Sequence, residues 1–303
     1  MAGGIWVPAV PTASVKGFHV SQLCSTRISP YRLAISAIRA RTRVADEQEF
    51  YNSKLGLPHI VADAAITEDE IRACISGRIV DPATNAISLS TEAYKMRDPN
   101  ILGDLVTIGI DVGGTCNYSV MVWRMIQTHA PTIDINESAI GFLIEAGKFK
   151  DYFQADELIK RFRPKHLTID QQPDTRAATQ LANRWPGIVS LCHYSASVSA
   201  TNLSYRKEDH LVTVNRTSWL DQSLGRFRAH TILLPYDLPQ EFIEHITHLI
   251  RKPEKTTLGE TVYRYLDTGP DHYAHSLNYA EIALKMAFEL PNLENQSITE
   301  RRR

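Results

Sequence analysis

Residues 105–115, Leu-Val-Thr-Ile-Gly-Ile-Asp-Val-Gly-Gly-Thr, form an apolar run that ends at Asp111 and passes into a glycine-rich turn. The run is short and contains several β-branched residues, which predicts a buried strand, Leu105–Asp111. The stretch Leu167-Thr-Ile-Asp-Gln-Gln-Pro repeats this pattern, with Asp170 at the end of a second predicted strand. A carboxylate at the end of a buried strand costs free energy unless it is paired or binds a cation. The two stretches therefore predict both the centre of a sheet and an acidic site at its edge.

The segments around these strands predict how the sheet is connected. Tyr118–Ile126 and Ala139–Gly147 are β-like and follow Leu105–Asp111 in series, which predicts an antiparallel meander. A helix, a strand, a second helix and a further strand come next, at Ala155–Arg163, His166–Asp170, Thr175–Trp185 and Ile188–His193. This alternation predicts parallel pairing. Three antiparallel strands followed by α-β-α-β is the order of a ribonuclease H-like fold. We therefore predict an α/β protein with a ribonuclease H-like mixed sheet flanked by helices.

The remaining segments divide the chain into four predicted regions. Residues 1–45 combine a β-like run, Gly17–Leu23, with a helix-like stretch, Tyr31–Arg43, and are too short to fold alone. Residues 46–104 are predicted to form an N-terminal helical connector, in which Thr67 followed by Glu70 is an N-cap pattern. The ribonuclease H-like domain is predicted over 105–290, and a polar tail over 291–303. Within the domain we expect two hairpin strands, a helix and a long final helix, at Leu211–Asn215, His230–Leu234, Gln240–Ile250 and Tyr273–Phe288.

Overall charge limits how the protein can meet nucleic acid. The chain has 33 Lys and Arg residues against 34 Asp and Glu, so any contact with DNA must use local positive patches. One such patch lies within residues 148–184 and includes Arg176, and a second flanks the predicted hairpin. We predict Arg176, Arg216 and Arg228 as DNA-binding residues. The alternative for these residues is a solvated surface of paired charges.

Three acids and two histidines form the predicted site. Asp111 and Asp170 end strands that lie side by side in this topology, and carboxylates are good ligands for Mg²⁺ or Mn²⁺. Asp271, at the start of the final helix, is the candidate third acid, because a helix N-terminus favours an anion with or without a metal. His272 and His275 share one helical face, with a spacing able to share a metal or a phosphate. In the alternative interpretation each acid only caps the turn or helix that follows it.

Taken in order, these motifs resemble the C-terminal nuclease domain of the large terminase subunit of tailed bacteriophages. The resemblance spans roughly residues 15–290 and is carried by Thr107-Ile-Gly-Ile-Asp-Val-Gly, Leu167-Thr-Ile-Asp-Gln-Gln-Pro with Arg176-Ala-Ala-Thr-Gln-Leu-Ala, Val212-Thr-Val-Asn-Arg-Thr with Thr231-Ile-Leu-Leu-Pro, and Asp271-His-Tyr-Ala-His-Ser-Leu-Asn-Tyr-Ala. Glu49-Phe-Tyr-Asn-Ser-Lys-Leu-Gly-Leu-Pro is similar to the segment that joins the ATPase and nuclease domains of the family.

This resemblance implies a metal-dependent endodeoxyribonuclease that cuts concatemeric viral DNA during genome packaging. Asp111 and Asp170 would be metal ligands, and two-metal phosphoryl transfer would use a pair of Mg²⁺ or Mn²⁺ ions. The implied partners are double-stranded DNA, a packaging ATPase domain or chain, the small terminase subunit and the portal, in the cytoplasm of the infected bacterial host.

The sequence departs from the family in two places. Many members have His-x-x-Asp in the last motif, whereas this chain has His272-x-x-His275, so either Asp271 or His275 supplies the third ligand, and Asp271 is preferred. No G-x-x-x-x-G-K-[ST] loop occurs in the chain, so there is no motif to bind ATP phosphates. Residues 1–45 then resemble the remnant of an ATPase domain. A separate ATPase chain, a gene interruption and a truncation all fit that pattern.

Two other functions compete with this prediction. Asp111, Gly113, Gly114 and Thr115 resemble the phosphate-binding hairpin of sugar-kinase and actin-like ATPases. That class needs a later Gly-Gly segment, and the sequence contains none after residue 115. The other alternative is a catalytically inactive docking module of the packaging machine, which the near-neutral charge and the changed third ligand would suit.

Overall fold

The computed structural model describes residues 21–25, 27–41, 44–57, 64–75, 79–80, 87–88, 105–125, 136, 139–195, 203–235, 237–255 and 261–300. The strands are β1 Ala64–Ala65, β2 Ile79–Val80, β3 Ile87–Ser88, β4 Leu105–Asp111, β5 Cys116–Met125, β6 Ala139–Phe149, β7 His166–Asp170, β8 Val189–Tyr194, β9 Leu203–Arg206, β10 Leu211–Val214, β11 Ile232–Leu233, β12 Leu249–Lys255 and β13 Thr261–Asp267. The helices are α1 Pro30–Ala40, α2 Val44–Glu49, α3 Glu68–Ala73, α4 Phe153–Phe162, α5 Thr175–Arg184, α6 Arg216–Ala229, α7 Gln240–Thr247 and α8 His272–Glu300. Short 3-10 helices occur at Gln22–Cys24 and Lys207–Asp209, and a π-helical turn, Phe50–Leu55, continues α2.

An eight-stranded mixed sheet organises the fold, in the order β11-β6-β5-β4-β7-β8-β10-β9. Its first three strands along the chain, β4, β5 and β6, pair antiparallel. The helices α4 and α5 then return the chain, so that β7 pairs parallel with β4 and β8 pairs parallel with β7. The five strands thus have the spatial order 3-2-1-4-5, which confirms the predicted ribonuclease H-like fold class.

The two faces of β4 are packed differently. Val106, Ile108 and Ile110 lie in a core with residues of β7, α4 and α5. On the opposite face, α8 lies directly against the strand: Thr107 Oγ1 donates to the Ala280 carbonyl at 2.9 Å. A Cβ placed on Gly109 would fall 1.9 Å from the Ser276 carbonyl oxygen, so only glycine permits this approach. The result is that the first turns of α8 stand over the ends of the central strands.

The predicted hairpin at Leu211–Asn215 and His230–Leu234 is wrong. β10 pairs parallel with β8, and β11 pairs parallel with β6 near the other edge of the sheet. The 14-residue helix α6 separates them, capped by the Asn215 side chain, which accepts from the Ser218 N–H. The sequence did not predict this helix. The helix is buried on several sides and its core residues are both polar and apolar, so its sequence shows no single apolar stripe.

Smaller differences between the predicted and the observed elements occur near the N-terminus and after residue 240. Of the predicted β-like run Gly17–Leu23, residues 17–20 lie outside the described residues, and Gln22–Cys24 form a 3-10 helix instead. The helix predicted at Tyr31–Arg43 spans Pro30–Ala40. The helix expected over Gln240–Ile250 ends at Thr247, because the chain continues into the hairpin β12–β13, which no prediction included.

The predicted cap at Thr67 is confirmed. The Thr67 side chain accepts from the Glu70 N–H, and the Glu70 carboxylate accepts from the Thr67 N–H. The polar tail over 291–303 stays a prediction, and helix α8 continues into it as far as Glu300. None of the helices in the described ranges is long and apolar enough to cross a membrane.

Candidate active site

Asp111 and Asp170 end neighbouring strands in matching positions. The parallel register of β4 and β7 pairs Ile110 with Ile169, and each strand's next residue is an aspartate. Adjacent strands lie about 4.8 Å apart, and residues in register point to the same face of a sheet. The two carboxylates therefore leave the backbone side by side, on the face covered by α8.

Burial and the repulsion between the two carboxylates affect the ionisation of this pair. Asp111 is only 6% exposed, and Asp170 is partly buried. Burial raises the pKa of the Asp170 carboxyl, and the nearby Asp111 charge adds to the rise, although hydrogen bonds from the Gln172 N–H and the Tyr279 hydroxyl oppose it. A pair of carboxylates that repel each other in a low-dielectric site favours a bound cation.

The first turn of α8 places the two predicted histidines beside Asp111 and Asp271. His272 Nδ1 lies 2.9 Å from Asp111 Oδ2, and this hydrogen bond raises the pKa of His272. His275 Nε2 lies 3.1 Å from Asp271 Oδ2. Burial acts to raise the pKa of Asp271, but His275, Arg216 and His272 together outweigh it and leave that pKa below its ordinary value. Asp271 is therefore ionised at neutral pH.

Of the three predicted DNA-binding arginines, Arg216 lies in this cluster. It is the first residue of α6, and its Nη1 donates to the Tyr265 carbonyl at 2.8 Å. Its Nη2 lies 3.2 Å from His275 Nε2 and 3.9 Å from Asp271 Oδ2. Arg216 thus places a permanent positive charge beside the third acid.

The other two arginines lie elsewhere. Arg228 sits near the end of α6, where its guanidinium contacts Glu70 at 3.2 Å and donates to the Ala65 carbonyl at 3.1 Å. Those contacts tie α6 to α3 and β1. Arg176 is exposed in the first turn of α5, the helix that follows Asp170. Elsewhere in the basic stretch 148–184, ion pairs occupy a set of side chains: Lys148 with Glu241, Lys160 with Glu157, Arg161 with Glu145, and Arg184 with Asp156.

The donor set suits a hard divalent cation. Asp111, Asp170 and Asp271 offer carboxylate oxygens, which Mg²⁺ and Mn²⁺ prefer. Two of these acids are held by histidines, and within the described part of the chain no three His, Cys, Asp or Glu side chains are already gathered as a metal cluster. The residues fit the ions by chemistry, because each of these two histidines contacts one oxygen, Oδ2, of its carboxylate.

Three residues of the site were not predicted from the sequence. The Tyr194 hydroxyl lies 3.2 Å from His275 Nδ1, Asn278 Nδ2 donates to Tyr194 at 2.9 Å, and the nearby Tyr279 hydroxyl acts to lower the pKa of Asp170. Asn278 and Tyr279 belong to the quoted motif that begins at Asp271, but Tyr194 ends an apolar strand and carries no recognisable pattern.

Fold and site together define the class: a ribonuclease H-like α/β protein with an acidic centre at the carboxyl ends of two central parallel strands. No family model matches the sequence, and no curated protein sequence matches it.

Among solved structures, the large terminase nuclease from thermophilic phage G20c with bound magnesium is similar, at 12% identity and a TM-score of 0.38, covering 60% of this chain and 82% of that one. The large terminase nuclease domain of Thermus phage P74-26 is similar at 14% identity and a TM-score of 0.36, covering 59% and 78%. A large terminase from another thermophilic bacteriophage reaches a TM-score of 0.45 at 10% identity, covering 86% of this chain and 54% of that one.

Proposed function

We propose that this protein is a divalent-metal-dependent endonuclease that cuts concatemeric viral DNA during genome packaging. The observation that carries the proposal is the register match of Asp111 and Asp170, which sets two carboxylates side by side at the ends of central strands. Asp271 and His275 lie 3.1 Å apart at the start of α8, and His272, the first residue of that helix, contacts Asp111. The choice of viral DNA as substrate follows the order of motifs that resembles large terminase nucleases.

In this proposal the chain's own residues have separate tasks. Asp111, Asp170 and Asp271 would hold one or two Mg²⁺ or Mn²⁺ ions, whose chemistry would be to activate a water and to neutralise charge on the scissile phosphate. Asp111 orients His272 through Nδ1, which leaves the other ring nitrogen of His272 directed away from that contact to donate to a phosphate oxygen. Arg216 offers the second positive group for the DNA backbone. Phosphate contacts of this kind position a duplex without reading its sequence.

The proposed partners follow the same resemblance. Double-stranded DNA would be delivered by a packaging ATPase domain or chain, with the small terminase subunit and the portal completing the machine in the cytoplasm of the infected host. With a charge balance of 33 basic to 34 acidic residues, the chain has little bulk attraction for DNA. We therefore propose that it depends on delivery by those partners, and tight DNA binding by the isolated chain at physiological salt would contradict this.

Supercoiled plasmid provides the direct test. Incubation with Mg²⁺ or Mn²⁺ is expected to give nicked and then linear DNA, and EDTA is expected to stop both. Absence of cleavage with either ion, at any enzyme concentration that gives DNA contact, would favour the docking-module alternative. ATP hydrolysis by the isolated chain would instead favour the kinase-like alternative built on Asp111, Gly113, Gly114 and Thr115.

A further inference from the structure

Tyr194 is placed between the strand ends and the first turns of α8. It is the last residue of β8, the strand adjacent to the one that carries Asp170. Cys192 pairs with Asp170, and Tyr194, two residues further on, points to the same face of the sheet. Its ring stacks on the buried Tyr279 ring, with centroids 5.5 Å apart and an interplanar angle of 18°. Tyr194 therefore borders the acidic site without being one of its acids.

The Tyr194 hydroxyl connects two polar side chains of α8. Asn278 Nδ2, at 2.9 Å, carries only donors, so the hydroxyl oxygen accepts from it. His275 Nδ1 lies 3.2 Å from the same oxygen. If the oxygen accepted from both neighbours, the buried hydroxyl proton would have no hydrogen-bond acceptor among these contacts, which is costly, so the favoured direction is donation from Tyr194 to Nδ1.

The orientation of the Asn278 amide supports this direction. Asn278 is fully buried, and its Oδ1 has no hydrogen-bond partner among the described residues. If the amide were turned around, an NH₂ group with two unpaired donors would take the place of that single oxygen. Orphaned N–H groups are rarer in protein interiors than under-satisfied carbonyl oxygens, so the donating orientation costs less.

The direction of this hydrogen bond determines whether the other ring nitrogen of His275, Nε2, carries a proton. A hydrogen bond into Nδ1 fixes the neutral imidazole with its proton on Nε2. Nε2 lies 3.1 Å from Asp271 Oδ2 and 3.2 Å from Arg216 Nη2, and it can serve only one of them. With the proton on Nε2, His275 donates to the Asp271 carboxylate, a charge-assisted hydrogen bond, and Arg216 adds its charge to the same carboxylate.

We propose that Tyr194 is a positioning residue that holds His275 in the Nε2–H tautomer, so that Asp271 supplies the third metal ligand and His275 orients it. A protonated Nε2 has no lone pair for a metal, whereas the opposite tautomer would present one. The metal part of this inference rests on the proposed function, but the tautomer is a property of the protein alone. Through Tyr279, the same tyrosine pair also reaches Asp170.

The imidazole ¹⁵N chemical shifts of His275 test the tautomer. The full chain, labelled with ¹⁵N-histidine and free of metal, is expected to show an unprotonated Nδ1 and a protonated Nε2, assigned by difference from a His275→Gln spectrum. Tyr194→Phe keeps the ring stack but removes the hydroxyl, and is expected to shift the population toward the Nδ1–H tautomer. The matched control is Tyr118→Phe, which removes a hydroxyl bound to Glu145 at 2.9 Å, and should leave the His275 shifts unchanged.

A Mg²⁺ titration followed by the same spectra and by calorimetry completes the experiment. Nε2 is expected to stay protonated when Mg²⁺ binds, and Tyr194→Phe is expected to weaken Mg²⁺ binding about 10-fold, the usual scale for residues that support a ligand. A protonated Nδ1 in the wild type, an unchanged His275 spectrum in Tyr194→Phe, or loss of the Nε2 proton on Mg²⁺ binding would each overturn the inference. Failure of the nuclease proposal would look different, namely no cleavage and no Mg²⁺ binding with the wild-type tautomer intact.

Discussion

Asp111 and Asp170 lie at equivalent positions on adjacent parallel strands, one residue beyond the paired Ile110 and Ile169. This relationship forces two like charges into one partly buried place, because both side chains point to the face covered by α8. Packing alone gains nothing from such an arrangement, since two apolar residues would fill the space without repulsion. The proposed cation site rests on this relationship.

Replacing either central acid by asparagine keeps its shape and removes its charge. Asp111→Asn and Asp170→Asn are each expected to lower metal-dependent plasmid cleavage by more than about 100-fold, because loss of a ligand exceeds the usual 10–100-fold cost of losing its support. Gel assays of nicking and linearisation measure this. Asp209→Asn is the control, because Asp209 is exposed and forms an ion pair with the nearby exposed Arg206 at the protein surface. Cleavage that survives both central substitutions would refute the site assignment.

Gly109→Ala tests the contact between β4 and α8. The new Cβ would meet the Ser276 carbonyl oxygen at 1.9 Å, and neither backbone can move without separating helix from strand. We expect a loss of about 3 kcal/mol in the free energy of unfolding, at the upper end of the range for overpacked cores, measured by urea denaturation. Gly114→Ala is the control, since a Cβ there meets nothing within 4 Å, and its effect should stay within about 0.5 kcal/mol. Equal stability of the two variants would contradict the packing described.

The buried ion pair between Arg226 and Glu281 predicts a large effect of removing one charge. Arg226 Nε lies 2.5 Å from Glu281 Oε2, and the two side chains are 5% and 1% exposed. Glu281→Gln leaves the guanidinium charge buried without its counter-ion, so we expect a loss of about 3–5 kcal/mol in the free energy of unfolding. The exposed pair Lys160–Glu157 provides the comparison, and Glu157→Gln should cost less than about 1 kcal/mol. Chemical denaturation of both variants at one pH measures the two losses, and equal losses would contradict the prediction.

His166 predicts how stability depends on pH. It is almost fully buried, its Nε2 lies 2.9 Å from Ser190 Oγ, and burial lowers its pKa from 6.5 to about 3. Between these two pH values the unfolded chain binds a proton on His166 that the folded protein excludes. Protonation of His166 therefore does not lower the free energy of unfolding above pH 6.5, and it lowers that free energy progressively as the pH falls below 6.5. The decline attributable to His166 should approach about 1.4 kcal/mol per pH unit.

Urea denaturation of the wild type and His166→Gln at several pH values between 7 and 4.5 isolates this contribution, because the substitution removes the titrating group. The difference between the two free energies of unfolding should change with pH in favour of the variant as the solution is acidified. The same comparison with His193→Gln, an exposed residue of β8, should show little change. Parallel pH profiles for the wild type and His166→Gln would show that His166 is not excluded from protonation in the folded protein.

Local pattern was sufficient to predict the central strands and helices. The apolar runs that end in Asp111 and Asp170 are strands with those same ends, and the helices predicted beside them differ from α4 and α5 by one or two residues. Periodicity failed where burial was not one-sided. Helix α6 has Asp221, Ser223 and Arg226 buried together with Trp219 and Phe227, so its sequence lacks the contrast between faces on which such prediction depends.

The sequence by itself determined the order of the elements from β4 to β8 and the position of Asp111 and Asp170 at strand ends, because strand, turn and cap preferences are local properties of neighbouring residues. Only the tertiary structure decided which groups meet: Asp111 with His272 across 161 residues, Arg216 with His275 across 59, and Tyr194 with His275 across 81. These contacts depend on strand register and on the close approach of α8 to Gly109. Hydrogen-bond direction between such distant side chains is set by the packing of the whole fold, and no local pattern encodes it.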